Sequence, residues 1–381
     1  FPITRVILPE EKKNITRVIL PEEKKNTPTT TEHLVSLLYG MQNASHDSIL
    51  WRKAMFVCGI VLGCFSCIVG LFPQFGVARS LSVYLPFAQV LAFPQALGLV
   101  ILLLGGCATG VGWRRRWSRL ALTSCLVWIV AGAGFLFAPN GIPHQVSGQQ
   151  HSTVTEGNLT VVTFNTGSML TASDFQQLVS TWDPDIIVLP ETSGYELREA
   201  IETSKYDGQL FETRNDGLPN TYTGQIAPTS VVVNKRLGAA HFTRGPVTSF
   251  GTVAIEFDDA RLPVILGLHT APPLPRLMNQ WRDDINRVVE FGNSIQKPLI
   301  IAGDFNATLR HGPLATRGRL IDSQELCSTT PTGTWPAGAP NLLRSPIDHI
   351  FVTQGITAHS CQVQQIGYSD HLAYKTQVAV Q

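Results

Sequence analysis

Two regimes of hydrophobic patterning divide this 381-residue chain. Up to about residue 140, apolar positions run together in long uncharged blocks. Beyond it they come in short runs separated by polar, Gly- and Pro-containing stretches. The first block, residues 54–72 (AMFVCGIVLGCFSCIVGLF), holds 19 residues without a charge. A second covers residues 81–104, interrupted by Pro86 and Pro94 and carrying Gln89 and Gln95, and a third covers residues 120–138. Each is long enough to cross ~30 Å of hydrocarbon as a helix. A helix apolar all round has no face to turn to water, so the pattern predicts three transmembrane helices over residues 53–138. Gly59 and Gly63, four apart, allow close helix packing. The first block starts too far along the chain, and is too long, to be a cleaved signal segment.

Basic residues orient these spans. Arg52 and Lys53 precede the first, and Arg114, Arg115, Arg116 and Arg119 fill the short connection between the second and third, whereas the first connection carries only Arg79. Positive charge stays on the cytoplasmic side, so three spans place the remainder of the chain outside. The chain is expected to be a multi-pass protein of the cell membrane, with the lipid bilayer as one partner; no protein partner can be inferred. Residues 1–52 read as a poorly ordered cytoplasmic tail opened by a tandem duplication, ITRVILPEEKKN at residues 3–14 and again at 15–26. Two short copies with internal prolines cannot build a solenoid. A short helix is expected over residues 31–41. Residues 139–157, rich in Gly, Gln, Ser and His, read as a linker.

The rest, residues 158–381, alternates strand and helix patterns. Strands are expected at 159–165, 186–189, 229–234, 253–257, 263–269, 299–304, 347–353 and 373–380, those at 253–257 and 263–269 paired. Helices are expected at 174–181, 194–203 and 277–295, the last amphipathic, with Trp281, Ile285, Val288, Val289 and Phe291 near one face. Several strands deliver a polar side chain at their end: Asn165, Glu191, His269, then Asp304 with Asn306 after Gly303. Asp348, Asp370 and His371 follow near the end of the chain. A single carboxylate after a strand is an ordinary turn residue. A set of such ends from separate segments forms a candidate site, rich in hard oxygen donors and poor in thiols. That suits Mg²⁺, or Mn²⁺ or Ca²⁺, rather than structural zinc.

From Gln145 onward the chain has 16 Lys and Arg against 22 Asp and Glu, a balance of 16 − 22 = −6. Non-specific nucleic-acid binding rests on clustered basic residues, so this balance argues against a general polyanion-binding surface and leaves a nuclease only where positive charge is local or supplied by a bound metal. Five of the seven cysteines lie in the apolar blocks. Cys327 and Cys361 can pair if the body sits in an oxidising compartment. Arg310, Arg317, Arg319 and Arg344 are candidates for a substrate groove, against the plainer reading as solvated surface. His349, one position from Asp348 on a strand, points to the opposite face and reads as structural.

The ordered pieces TFN (163–165), LPET (189–192), GLHT (267–270), GDFN (303–306), IDHI (347–350) and SDH (369–371) resemble the endonuclease/exonuclease/phosphatase superfamily, here in a membrane-anchored form of bacterial type. That superfamily includes pancreatic-type DNases, abasic-site endonucleases, inositol-phosphate phosphatases and neutral sphingomyelinases. The resemblance spans about residues 158–381 and implies an α/β (α+β) two-sheet sandwich of the DNase-like type, preceded by the three transmembrane helices. It also implies a metal-dependent phosphoesterase with the site where the sheet edges meet. Carried over residue by residue, Glu191 would be the principal metal carboxylate, with Asn165 beside it and Asp370 near the metal. Asp304 would orient and deprotonate the attacking water, with Asn306 holding it or a phosphate oxygen. His371, oriented by Asp348, would contact the scissile phosphate or act as general acid, and His269 would be a second phosphate ligand. The implied substrate is a phosphate ester: a phospholipid, a small phosphodiester or a nucleic acid. An extracellular nuclease is one alternative, and a catalytically silent binding or scaffold domain on the same fold is another; the latter predicts losses among the polar strand ends, and none is found.

Overall fold

The computed structural model describes residues 30–115, 117–141, 158–327 and 333–380, with side chains from Leu50 onward. The tandem duplication and nearly all of the expected linker lie outside these residues. The chain divides into two units, Phe1–Met55 and Phe56–Gln381. Helix α1 (Thr30–Leu71) begins in the first unit and continues into the second. The expected short helix over residues 31–41 is therefore the start of a 42-residue one. No proline falls between Thr30 and Phe72 to stop it.

Two short helices follow, α2 (Gly76–Leu81) and α3 (Phe87–Leu91), then α4 (Pro94–Arg114) and α5 (Arg119–Phe137). Three stretches are long and apolar enough to cross a membrane: Leu50–Leu71, Pro94–Arg114 and Arg119–Phe137. The second differs from the expected 81–104. Pro94 supplies the first-turn position of α4, where its missing N–H costs nothing. Residues 76–91 are thereby left as the separate short helices. Glycine sets the helix spacing: a Cβ on Gly98 of α4 would lie 2.6 Å from the Gly132 carbonyl oxygen of α5, so any larger residue would push the pair apart.

The body over residues 158–380 is a two-sheet sandwich. Its strands are β1 (Asn158–Thr163), β2 (Ile186–Leu189), β3 (Gly208–Glu212), β4 (Ser230–Asn234), β5 (Ala240–Phe242), β6 (Thr252–Phe257), β7 (Val264–His269), β8 (Leu299–Asp304), β9 (Ile321–Asp322), β10 (Asp348–Val352), β11 (Ile356–Gln364) and β12 (Ala373–Val380). They form two six-stranded sheets in the orders β11-β12-β1-β2-β4-β3 and β5-β6-β7-β8-β10-β9. Alternate residues face opposite ways. Val161, Ile186, Val188, Val231 and Val233 of the first sheet meet Ile265, Ile300, Ala302, Ile350 and Val352 of the second in the central core.

The intervening residues face helices. Val162, Ile187, Leu189 and Val232 pack under α6 (Ala172–Trp182) and α7 (Gly194–Ser204) through Phe175, Leu178 and Leu197. Leu266, Leu268, Leu299 and Ile301 pack under α8 (Met278–Ser294) through Trp281, Ile285 and Val288, and Ala88 of α3 joins this cluster. Full burial of each such large side chain is worth about 1.5–3 kcal/mol. A last short helix, α9 (Ser323–Leu326), leads into the Cys327–Cys361 disulfide, so the two cysteines do pair.

The body is bound to the long apolar helices by the loop after β8. Arg310, 1 % exposed, donates from Nη1 to Val69 O at 3.1 Å and from Nη2 to Gly70 O at 2.8 Å and Ala138 O at 2.7 Å. Its Nε donates to Pro139 O. These carbonyls lie at the C-terminal ends of α1 and α5, where the helix dipoles are negative. No carboxylate pairs with Arg310 among the described residues, and burial alone lowers its pKa to about 9. His311 Nε2 is 2.9 Å from Ala88 O, and Gly312 N donates to Ser82 Oγ at 2.9 Å.

None of the four arginines considered for a substrate groove lines the central cavity. Arg310 is buried as described. Arg317 pairs with Glu325 at 2.7 Å, Arg319 donates to Ile295 O, and Arg344 donates to Ala339 O and Ala337 O. Each guanidinium is spent on carbonyls or a carboxylate that the fold itself leaves needing a donor.

Candidate active site

Parallel pairing brings the polar strand ends together. β1 runs parallel to β2, and β7 parallel to β8, so Asn165, Glu191, His269 and Asp304 emerge at one edge of the sandwich. The register places His269 opposite Asp304 and, on the other side of β8, Asp348 opposite Asp304. β12 pairs antiparallel with β1, which brings the preceding residues Asp370 and His371 to the same edge. Gly303 makes this possible by close approach rather than by turning the chain: a Cβ there would lie 2.0 Å from Leu268 O on β7. Glu191 (φ +54°) and Asn306 (φ +47°) adopt the left-handed conformation that side chains other than glycine rarely take. Such strain is characteristic of functional positions.

Oδ2 of Asp304 is the focus. Asn165 Nδ2 donates to it at 2.9 Å, His269 Nε2 lies 3.6 Å away and His371 Nε2 3.8 Å away. Asn165 Nδ2 also reaches Glu191 Oε1 at 3.2 Å, so one amide bridges the two carboxylates, while its Oδ1 accepts from Gly167 N at 3.0 Å. Asp304 Oδ1 accepts from Asn306 N at 2.7 Å. The Asn306 side chain donates to Thr270 O at 3.0 Å and lies 3.3 Å from His269 Nε2. His371 Nδ1 is 2.8 Å from Asp348 Oδ2. Asp370 Oδ2 accepts from the Trp335 indole at 2.8 Å.

Six of the eight predicted residues, Asn165, Glu191, His269, Asp304, Asn306 and His371, line one cavity of about 350 Å³. Asp348 lies behind His371, and Asp370 sits on the exposed side beside Trp335. His349 faces away, as expected: Nδ1 meets Asp322 at 2.5 Å and Nε2 is 2.9 Å from Ala307 O.

Burial and mutual charge set the protonation states. Burial raises the Glu191 pKa, with Asn165 and His371 opposing. Burial first, then repulsion from Asp348, raises that of Asp304. His269 is pushed down by burial and stays neutral. For His371 burial also acts downward, but Asp348, its hydrogen bond, Asp304 and Asp370 outweigh it and lift the pKa to about 10. It is therefore an imidazolium at neutral pH.

Oxygen donors dominate, which fits a hard divalent cation. Asp304, Asp348 and His371 offer atoms within 4.8 Å of one another. An imidazolium already donating to Asp348 has no lone pair to give, so this trio suits proton handling better than ligation. Glu191 keeps an outward-facing carboxylate, 22 % exposed, for a cation. Buried Asp348 Oδ1 and His269 Nδ1 have no hydrogen-bond partner among the described residues.

Among the cavity residues that the sequence does not announce are Trp335, which holds Asp370, and Gln89 and Phe93, which come from the segment between α1 and α4. A tryptophan in a Thr-Trp-Pro loop carries no periodic signal, and Gln89 and Phe93 lie inside an apolar block of the sequence.

A model described as the Endonuclease/Exonuclease/phosphatase family matches residues 162–371, more than half of the chain. Among solved structures, an endonuclease/exonuclease/phosphatase from Beutenbergia cavernae is 18% identical, covering 59% of this chain and 72% of its own, with a TM-score of 0.45. A mannosyl-6-phosphatase of Bacteroides thetaiotaomicron is 17% identical, covering 58% and 99%, with a TM-score of 0.43. A humanized D. rerio TDP2 is 15% identical, covering 58% and 99%, with a TM-score of 0.44. No curated protein matches the chain.

Proposed function

The chain belongs to the endonuclease/exonuclease/phosphatase family, whose members are phosphoester hydrolases, and from that premise we propose a membrane-anchored, divalent-metal-dependent phosphoesterase. The observation that carries the proposal is the convergence of Asn165, His269 and His371 on one carboxylate oxygen of Asp304. In-line attack at phosphorus needs a base for water, a cation for the phosphate oxygens and little else beyond positioning.

Asp304 fills the first need. Its raised pKa makes it a better proton acceptor than an exposed carboxylate, and Asn306, held by Thr270 and His269, positions the water or a phosphate oxygen. As water oxygen bonds to phosphorus and the ester oxygen leaves, Asp304 takes the water proton. His371, oriented by Asp348, places an imidazolium against the phosphate and can supply the leaving oxygen with a proton. His269, neutral, steadies Asn306 and borders the phosphate position. Glu191, with Asn165 and Asp370 beside it, would hold Mg²⁺, or Mn²⁺ or Ca²⁺ in its place, which when bound supplies charge against the phosphate oxygens.

The catalytic body, residues 158–381, is assigned to the extracytoplasmic side, joined by a linker over 139–157 to the spans within 53–138 and, before them, the tail of residues 1–52. Arg310 binds the ends of α1 and α5, whereas Arg114 and Arg115 close α4 at its other end. The positive-inside rule puts those arginines in the cytoplasm, and the Cys327–Cys361 disulfide suits an oxidising compartment. A phosphatase reporter fused after Gln381 should be active in the periplasm or cell exterior; activity only of a cytoplasmic reporter at that point would reverse the orientation. For the chemistry, the purified full-length protein should hydrolyse bis-p-nitrophenyl phosphate or p-nitrophenyl phosphate with Mg²⁺ and lose turnover in EDTA. Absence of turnover on both of these esters and on lipid phosphate esters alike would defeat the proposal.

A further inference from the structure

The cavity that holds Asp304 has two unlike walls. One is the polar cluster on the strand ends. The other is apolar and comes partly from the segment between the first two spans: Gln89, Ala92 and Phe93 line it, facing Pro272, Leu274 and Phe250 of the body. The contact is close. The Phe93 ring lies 6.0 Å from that of Trp335, whose indole holds Asp370, and Gln89 Nε2 donates to Pro273 O. The membrane segment therefore forms part of the active-site wall.

Its position fixes the height of the site relative to the bilayer. Arg310 joins the site loop to the last carbonyls of α1 and α5, and α3 lies just before the first residue of α4. The ends of spans mark the hydrocarbon boundary, and lipid phosphates lie immediately beyond it. The surface there is apolar: Phe87 and Val90 of α3 are 43% and 45% exposed, and Leu274 of the body is 55% exposed. The turn Asn341–Leu343 packs against α4 and carries the exposed Leu342 and Leu343. No Lys or Arg lines the cavity among the described residues. A nucleic-acid strand would need such cations along its backbone, whereas a lipid tail needs only the apolar wall.

The geometry points to a lipid phosphate ester of the adjoining leaflet as the substrate, its phosphate at Asp304, Glu191 and His371 and its apolar part along Ala92, Phe93 and Leu274. Gln89 lines the same wall, and its buried Oε1 has no hydrogen-bond partner among the described residues. This assignment rests on the phosphoesterase reading of the same cavity, and the experiment separates the two.

The full-length protein in mixed micelles with Mg²⁺ is assayed on phosphatidic acid, phosphatidylglycerol, bis-p-nitrophenyl phosphate and a single-stranded oligonucleotide. At least one of the two lipids should show the highest kcat/KM. Leu274→Asp and Ala92→Asp should each lower the ratio of lipid to bis-p-nitrophenyl phosphate kcat/KM by about tenfold or more, since a charge in an apolar pocket opposes an alkyl chain. Leu274 is exposed, so its variant does not depend on repacking. Cleavage of the soluble ester or the oligonucleotide with neither lipid cleaved overturns the lipid assignment and leaves the phosphoesterase reading standing. A ratio unchanged in Leu274→Asp also overturns it. Turnover of none of the four overturns both.

Discussion

His371 stands between two carboxylates: its Nδ1 lies 2.8 Å from Asp348 and its Nε2 3.8 Å from Asp304. Asp348 itself does not line the cavity, so it acts through His371. Replacing it by Asn keeps the shape but removes the charge that orients and protonates the ring. Asp348→Asn should lower kcat roughly 10²-fold, within the range for a misplaced acid or base, with a much smaller change in KM. Steady-state kinetics on a soluble phosphoester decide this. A change confined to KM would make Asp348 a binding residue instead.

Arg310 is a buried cation whose partners are four backbone carbonyls rather than a carboxylate. Removing it leaves those carbonyls without their donor at the ends of two helices. Arg310→Met should cost about 3 kcal/mol or more, by analogy with loss of one partner of a buried charged network. Arg310→Lys should recover only part of this, because an ammonium cannot match the planar fork. Thermal unfolding in detergent tests both, and equal melting of Arg310→Met and wild type would deny the clamp any energetic role.

His311 supplies an acid-sensitive contact at the same junction. Its Nδ1 accepts from Thr308 N at 2.8 Å, which leaves the Nε2 proton for Ala88 O. Burial, with Arg310 nearby, lowers its pKa to about 4 from 6.5. Above pH 6.5 the ring is neutral in folded and unfolded chains alike and costs nothing. Between 6.5 and about 4 the unfolded chain takes the proton first, so stability falls as pH falls. At 1.36 kcal/mol per pH unit the full loss is about 3 kcal/mol. Melting temperatures in detergent should drop from pH 7 to pH 4.5, and His311→Gln should show a visibly smaller drop. An identical pH dependence in the variant would place the acid sensitivity elsewhere.

Much of this arrangement was legible in the residues because strand ends are local features. A run such as Leu299–Asp304, apolar and then polar, announces both a buried strand and the side chain it delivers. Parallel pairing then does the assembling. The pairing of Cys327 with Cys361 depends on β11 lying beside α9, which no local pattern announces. β11 carries no clear strand pattern in the sequence because a register shift between Ala358 and Ser360 breaks its two-residue alternation, and β9, with two residues, is too short to show one. The fate of Arg310 could not be read at all. It depends on two helix ends, some 170 and 240 positions away in sequence, arriving together. Hydropathy likewise cannot tell a short apolar helix from the start of a longer one, which is why residues 81–93 read as continuous with α4.

The most direct test of the site is Asp304→Asn in the full-length protein, assayed with Mg²⁺ on a soluble phosphoester beside wild type and an EDTA control. The substitution keeps the side chain's size and removes only its ability to take a proton. Turnover should fall by about 10³-fold, the order expected for loss of a general base, with thermal melting within a few degrees of wild type. A rate within twofold of wild type would contradict the assignment of Asp304 as the residue that activates water.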